Sequence, residues 1–289
     1  VWQGEEGTAV FDRSRAEAIA AKIKGRAFTL VSLQAADKRT PPPMLYDLTE
    51  LQRDASKLYG YSPKQTLNIM QKLYEQHKAL TYPRTDSRYL TEDIVPTLKD
   101  RLRAVAIGEN AAAVSEIAGN GWKIAKACVN SARVSDHHAI IPTEERVSMT
   151  LLTSEEKRIY QLVVKRFLTC FYPSFTYRHI KAEFEAEGER FFATGREVLQ
   201  KGWKQVYDPE DEEADESEQN LPKLEKGRQY TCASVLLKNG RTSPPARYTE
   251  AALLSAMENP SRFVSDQKMK EYLGGGLGTV SYTHLTLPT

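Results

Sequence analysis

Between Leu80 and Leu90 the sequence runs LTYPRTDSRYL. One phenol, Tyr82, stands beside the guanidinium groups of Arg84 and Arg88, the hydroxyls of Thr85 and Ser87 and the carboxylate of Asp86. A tyrosine ordinarily ionises near pH 10, so its phenolate costs roughly 4 kcal/mol at neutral pH. Neighbouring cations favour the anion, and arginine does not surrender its charge. Pro83 restricts the backbone and biases Tyr82 towards an extended conformation. Thr85 and Ser87 offer hydroxyls to phosphate oxygens, and Asp86 can orient a neighbouring base. These are the parts of a nucleophile set beside a phosphate site. The same residues also fit a plainer description, a tyrosine at a strand end followed by a helix cap and surface charge.

Two further groups carry chemistry. ARVSDHHAIIPT, from Ala132 to Thr143, sets Arg133 and Asp136 ahead of His137 and His138, with an apolar step behind them. Histidine changes charge near neutral pH and can donate to phosphate, and Asp136 or Asp86 can hold one imidazole protonated. Zinc is the rival reading, but adjacent histidines diverge on a strand and no third ligand stands at metal spacing. A structural role for one of the two histidines stays open. In TSPPARYTEAALLSAMEN, from Thr242 to Asn259, Arg247 and Tyr248 precede a helix start, whose free N–H groups favour an anion. Pro-Pro as a linker, with Glu250 beside the helix dipole, is the structural alternative.

Several elements must position these groups. SRAEAIAAKIKG reads as a helix with Ser14 and Glu17 as capping box and Gly25 at its end. VWQG, TAVF and TCASVLLKNG read as strands, and FTLVSLQAADKR as an extended segment. RTPPPMLY is a stiff proline connection. Beyond it, DLTELQRDASKLYG ends at Gly60, and SPKQTLNIMQKLYEQHK starts on Ser62, Pro63 and Gln65, with Leu67, Met70 and Tyr74 on one face. This pair has a helix–turn–helix outline, which packed helices adopt without reading DNA. TEDIVPTLKDRLRAV and YTEAALLSAMENP read as helices, the second capped by Thr249. TSEEKRIYQLVVKRFLTCFYP is the clearest helix, boxed by Thr153 and Glu156, with a stripe of Ile159, Leu162, Val163 and Phe167. RHIKAEFEAEGERFFATGREV alternates on both sides of Glu187-Gly188, a hairpin. The order is β-rich, helical, β-rich, helical, as when a helical block is inserted into a β-rich domain.

The chain has 289 residues, 40 % hydrophobic and 27 % charged, ordinary for a globular protein of two or three domains. It shows neither a signal peptide nor an apolar run long enough to span a membrane. It opens on Val1 without methionine, which reads as a fragment. Cys128, Cys170 and Cys232 lie far apart with no CxxC pair, which argues against a zinc ribbon or disulfide scaffold and for reduced cytosolic thiols. The net charge of +2 conceals an uneven distribution. DPEDEEADESE, from Asp208 to Glu218, holds eight acids, and outside it 40 basic residues face 30 acidic ones. A basic body with one acidic loop suits a polyanion-binding protein.

PPPMLYDLTELQRDASKLYGYSPKQTLNIMQKLYEQHKALTYPRTDSRYL, then SDHHAIIPT, then PPARYTEAALLSAMENP, then GLGT, in this order and spacing, resemble the type IA DNA topoisomerases, above all the bacterial topoisomerase III branch. The resemblance spans about residues 1 to 279. It implies a mixed α and β multidomain fold, part of a toroid. A β-rich arch would comprise residues 1–49 and 149–235, and a helical domain, 50–148, would carry Tyr82. Residues 236–279 would begin a second helical domain that holds single-stranded DNA. Residues 280–289, VSYTHLTLPT being continuous with GLGT from position 280 on, fit no part of the pattern and read as a foreign or disordered tail.

The resemblance also implies a reaction. Tyr82 attacks a phosphodiester of single-stranded DNA, takes the 5′ phosphate and frees a 3′ hydroxyl; another strand passes and the break is resealed without ATP. Arg84 and His137 share the catalytic work. Thr85, Asp86, Ser87, Arg88, Arg133, His138, Arg247 and Tyr248 are the implied DNA contacts. Mg²⁺ belongs to an N-terminal domain that this chain does not contain, so the fragment alone is expected to be inactive. The expected setting is a cytoplasmic, nucleoid-associated monomer off the membrane, with a helicase or a single-stranded-DNA-binding protein as partner. Two other readings stay open: a non-catalytic binder of single-stranded DNA, and a tyrosine recombinase, which leaves a 3′ phosphotyrosine.

Overall fold

The computed structural model describes residues 1–4, 7–207 and 221–273. The acidic run 208–218, the GLGT motif and the tail 280–289 lie outside the described residues. In chain order the elements are β1 (Trp2–Gln3), α1 (Arg13–Ile23), β2 (Ala27–Thr40), α2 (Leu48–Tyr59), α3 (Pro63–Glu75), α4 (Leu98–Val105), α5 (Asn110–Gly119) and α6 (Ser154–Thr169). They continue with β3 (Phe175–Ala186), β4 (Glu189–Gln200), β5 (Gln229–Thr231), α7 (Glu250–Glu258) and α8 (Gln267–Tyr272). Two compact units result, one from Val1–Pro41 and Ser174–Pro244, the other from Pro42–Pro173 with the described residues from Pro245 onward.

In the first unit all strand pairs are antiparallel, in the order β1-β4-β3-β2-β5. The hairpin reading of β3 and β4 holds. Glu187 and Gly188 have φ of 53° and 76°, the left-handed pair that a two-residue turn between twisted strands needs. Leu30, Ala182, Ala186 and Ile23 of α1 are buried, and Phe28 meets Phe191 at 4.8 Å between ring centroids. Helix α1 is capped by Asp12 rather than by Ser14: the Asp12 carboxylate accepts from the Ser14 backbone N–H at 2.9 Å. A carboxylate is as good an N-cap as a hydroxyl, and the capping-box pattern alone does not rank the two. TAVF forms no strand, and of TCASVLLKNG only Thr231 pairs, as the last residue of β5. Cross-strand partners decide short strands, and a brief apolar run does not specify them.

The second unit is helical. Helix α2 starts on Asp47, whose side chain accepts from Glu50 N at 2.7 Å, and stops at Gly60, φ 69°. Helix α3 starts on Ser62 as expected, but its buried residues are Thr66, Ile69, Met70 and Leu73, one step round from the expected Leu67 and Tyr74. TEDIVPTLKDRLRAV divides at Pro96 into a 3-10 turn, Glu92–Thr97, and α4, because proline removes a donor and crowds the preceding turn. The α5 and α8 helices have weak patterns and were not anticipated.

Helix α6 shows both halves of its capping box: Thr153 Oγ1 accepts from Glu156 N at 3.2 Å, and Glu156 accepts from Thr153 N at 2.8 Å. Ile159, Leu162, Val163 and Phe167 are buried, as the stripe required. The sequence boundary at 149 assigned α6 to the β-rich segment. It packs instead with α3 and α5, and the division falls at Pro173 and Ser174. An apolar stripe marks a helix as buried without saying against what. Thr153→Ala should lower stability by about 1 kcal/mol. The urea midpoint should fall with an unchanged slope, and an unchanged midpoint would show that the cap is redundant.

Candidate active site

The segment that carries Tyr82 is a strap fastened at both ends. Leu80 and Leu90 are fully buried. Leu80 pairs antiparallel with Pro142, and the flanking bonds are Thr81 N to Ile141 O at 3.0 Å and Thr143 N to Ala79 O at 3.1 Å. At the other end Leu90 N donates to Cys128 O at 2.8 Å and Leu90 O accepts from Asn130 N at 2.9 Å. The HHAIIPT segment is held from both sides: Ile140 N donates to Tyr46 O at 2.8 Å, and Ala139 N donates to Tyr89 O at 2.9 Å. Ala139, Ile140 and Ile141 are buried. The apolar step behind the histidines therefore anchors them in the core, and the two chemical motifs lie side by side.

Tyr82 and His137 meet directly, with ring centroids 4.3 Å apart and a 40° tilt. Tyr74 of α3 meets Tyr82 edge-on at 5.6 Å and 82°. Aromatic contacts of this kind each add about 1 kcal/mol beyond area burial and restrict ring rotation. Tyr82 is half-buried and His137 exposed, so the phenol is held between two rings while its neighbour stays open to a ligand. Tyr74 was read from sequence only as part of a helix seam; nothing local marks it as a neighbour of Tyr82.

The other expected site residues divide by surroundings. Thr85 and Ser87 are 7 % and 4 % exposed. Thr85 Oγ1 donates to His137 O at 2.8 Å and accepts from Ser87 N at 3.1 Å, while its carbonyl accepts from Leu48 N at 3.0 Å. Ser87 Oγ donates to Arg133 O at 3.1 Å and accepts from Tyr89 N at 3.2 Å. Both hydroxyls brace the strap against the histidine segment rather than facing outward. Arg88 is held by Asp47, Glu50 and Glu258. Arg133 is exposed and donates to Tyr89 Oη at 2.7 Å. Arg84 is half-buried; Asp86 is exposed, with Ser135 Oγ at 3.5 Å. Arg247 and Tyr248 are exposed just before Thr249, which caps α7 by accepting from Ala252 N at 3.1 Å.

His137 and His138 are unlike. His138 is half-buried, and its Nδ1 lies 2.8 Å from Ala139 O. Burial pushes its imidazolium below the usual histidine range; the Ala139 carbonyl opposes this, Arg101 adds to it, Asp93 opposes it and His137 adds to it. Folding therefore favours neutral His138. That stability is present above about pH 6.5, the unfolded value, and is lost as pH falls towards and through the lowered folded value. His138→Gln should flatten the pH dependence of unfolding in that window. An equal slope in denaturant titrations of the two proteins would place the titration elsewhere.

The described residues contain no group of three or more His, Cys, Asp or Glu side chains able to hold a metal ion. Asp47, Glu50 and Glu258, the densest carboxylates near the strap, are engaged by Arg88 and Arg53. Among the described residues the donor set does not fit Mg²⁺. No helix among the described residues is long and apolar enough to cross a membrane.

Comparison with known proteins gives the family. A family profile described as DNA topoisomerase matches residues 2–287. The chain is 48 % identical over 288 residues to DNA topoisomerase 3 of Bacillus licheniformis, a match covering 97 % of this chain and 40 % of that protein. It is 46 % identical over 289 residues to DNA topoisomerase 3 of Bacillus subtilis, with the same coverage. The chain thus spans about two fifths of the length of the curated relatives it matches. Full-length topoisomerase I from Thermotoga maritima shares the fold, with a TM-score of 0.66 at 24 % identity over 89 % of this chain and 41 % of that one. A profile that runs from the first strand past α8, over a phenol packed against a histidine in a strap of arginines and hydroxyls, leaves one family: the chain belongs to the type IA DNA topoisomerases, alongside bacterial proteins named DNA topoisomerase 3.

Proposed function

We propose that this chain is the tyrosine-bearing portion of an enzyme that cuts one DNA strand, passes another through the gap and reseals the cut. The observation that carries the reading is the contact between Tyr82 and His137. Tyr82 Oη attacks the phosphorus. The bond to the 3′ oxygen breaks, the phenolic proton leaves, and the departing oxygen gains a proton to become a 3′ hydroxyl. Arg84 stabilises charge on the non-bridging oxygens, and His137 donates to the same group. The aryl phosphodiester conserves the energy of the broken bond, so the 3′ hydroxyl attacks it in return and no ATP is consumed. Thr85 and Ser87 act by holding the strap in place. Arg133, Asp86, Arg247 and Tyr248 face the strand, and half-buried His138, next to His137 in the chain, serves as its anchor.

In the whole protein Mg²⁺ is bound by a domain outside this chain. The whole enzyme relaxes negative supercoils and separates linked DNA, acts as a monomer at the nucleoid, and works with a helicase or a single-stranded-DNA-binding protein. The β-rich unit serves as the arch, and α7 begins the second DNA-binding region. The test maps the covalent product. Single-stranded oligonucleotide labelled at either end, incubated with full-length protein and Mg²⁺, should yield protein attached to the 5′ end of the downstream fragment. Attachment through a 3′ phosphate would indicate recombinase-type chemistry, and salt-sensitive binding with no attachment would leave only a binding module.

A further inference from the structure

Away from the ring contact, one group of charges in the helical unit joins three chain segments. Arg88, six residues after Tyr82, donates from Nε to Asp47 Oδ2 at 2.6 Å. Its Nη2 reaches Glu50 Oε2 at 3.2 Å and Glu258 Oε1 at 2.9 Å. Arg53 donates to Glu50 Oε2 at 2.6 Å and also meets Glu258 Oε2. Two guanidinium groups thus share three carboxylates. Asp47 caps α2, and the next residue, Leu48, binds the Thr85 carbonyl of the strap. Glu258 is the last residue of α7 and lies 170 positions from Arg88. Among the described residues of 245–273, it is the one that forms an ion pair with the rest of the unit.

Helix α7 lies along α2, but its side chains bury little. Leu254 is its one buried residue, whereas α6 buries nine. The charges therefore add to the packing of α7 on α2 at the C-terminal end of the helix. They also remain accessible: the side chains of Arg53, Arg88 and Glu258 are 22 %, 30 % and 33 % exposed. Pairs of this kind are weak one by one and open to screening by salt. Such a joint can close and release, unlike the buried seam around α6.

We propose that Glu258 is a positioning residue that latches α7 onto the helices bearing Tyr82, and that the latch releases during strand passage. The idea rests on the strand-passage reading above. It places Glu258 outside the chemistry and makes it a control on how long the cleaved state stays closed.

The test compares full-length protein with its Glu258→Gln and Glu258→Asp variants in two assays at several salt concentrations. One measures covalent adduct on a single-stranded oligonucleotide; the other measures relaxation of a negatively supercoiled plasmid. Glu258→Gln should keep its adduct yield while relaxing the plasmid about threefold faster at low salt, the size expected for a partly exposed ion pair. The advantage should shrink towards none as salt screens the wild-type latch, and Glu258→Asp should return most of the way to the wild-type rate. Relaxation equal to wild type at every salt overturns the latch. So does a parallel loss of adduct and relaxation, which would make Glu258 part of the fold or the chemistry. Failure of the underlying reading looks different, because the wild-type protein itself would then form no adduct.

Discussion

Full-length protein carrying Tyr82→Phe should form no covalent adduct with single-stranded DNA, while folding and binding the strand as the wild type does. The substitution removes one oxygen and leaves the ring. The contacts with His137 at 4.3 Å and Tyr74 at 5.6 Å therefore persist, and the stability change should stay within about 0.5 kcal/mol. What disappears is the oxygen that the proposed reaction joins to phosphorus, so the expected loss is complete rather than graded. Tyr74→Phe is the informative control. It keeps the edge contact and should keep the adduct, although its phenol lies next to that of Tyr82 in space. Denaturing gels with labelled oligonucleotide read both variants. An adduct that persists in Tyr82→Phe, or vanishes in Tyr74→Phe, would assign the nucleophile to another residue.

Arg84→Ala should slow cleavage by about 10² to 10³, the cost of removing a donor aimed at charge that develops in the transition state. Arg84 follows Tyr82 by two residues in a strap whose ends are buried and whose centre is tied down at Thr85. A backbone so fixed limits the reorganisation needed to bring the guanidinium to a phosphate that gains charge. The fall should therefore appear in the single-turnover cleavage rate more than in binding of the uncut strand. Arg84→Lys should recover only part of it, because an ammonium keeps the charge but not the two-pronged geometry. Rapid-quench measurement of adduct formation at saturating protein separates the two effects. Wild-type cleavage by Arg84→Ala would remove Arg84 from the reacting phosphate, and a loss confined to affinity would make it a strand contact alone.

Much of this was legible without coordinates where the information is local. Ser62, Thr153 and Thr249 announce helix starts, Gly60 a helix end, and Glu187-Gly188 a hairpin turn, because caps and tight turns satisfy backbone groups a few residues away. Tyr82, Arg84 and the histidine pair stand out for the same reason: their chemistry is written in residue type and near spacing.

What lies far apart in the sequence was decided by packing. No local pattern says that Thr85 serves His137 across 52 positions, that Ser87 is a brace, or that Tyr74 closes the other side of the phenol. Nor does one show that Arg88 is committed to carboxylates on α2 and α7. A hydroxyl or a guanidinium looks equally ready for phosphate or for a protein partner until the neighbours are known, since burial and an available counter-charge settle which one it takes. The placement of α6 with the helical unit follows the same rule. By itself the sequence determined the local elements and the chemical vocabulary of Tyr82, Arg84 and His137; the tertiary structure alone decided which of the surrounding groups stay exposed and which hold the Tyr82 strap in place, because only packing across long separations chooses a polar side chain's partner.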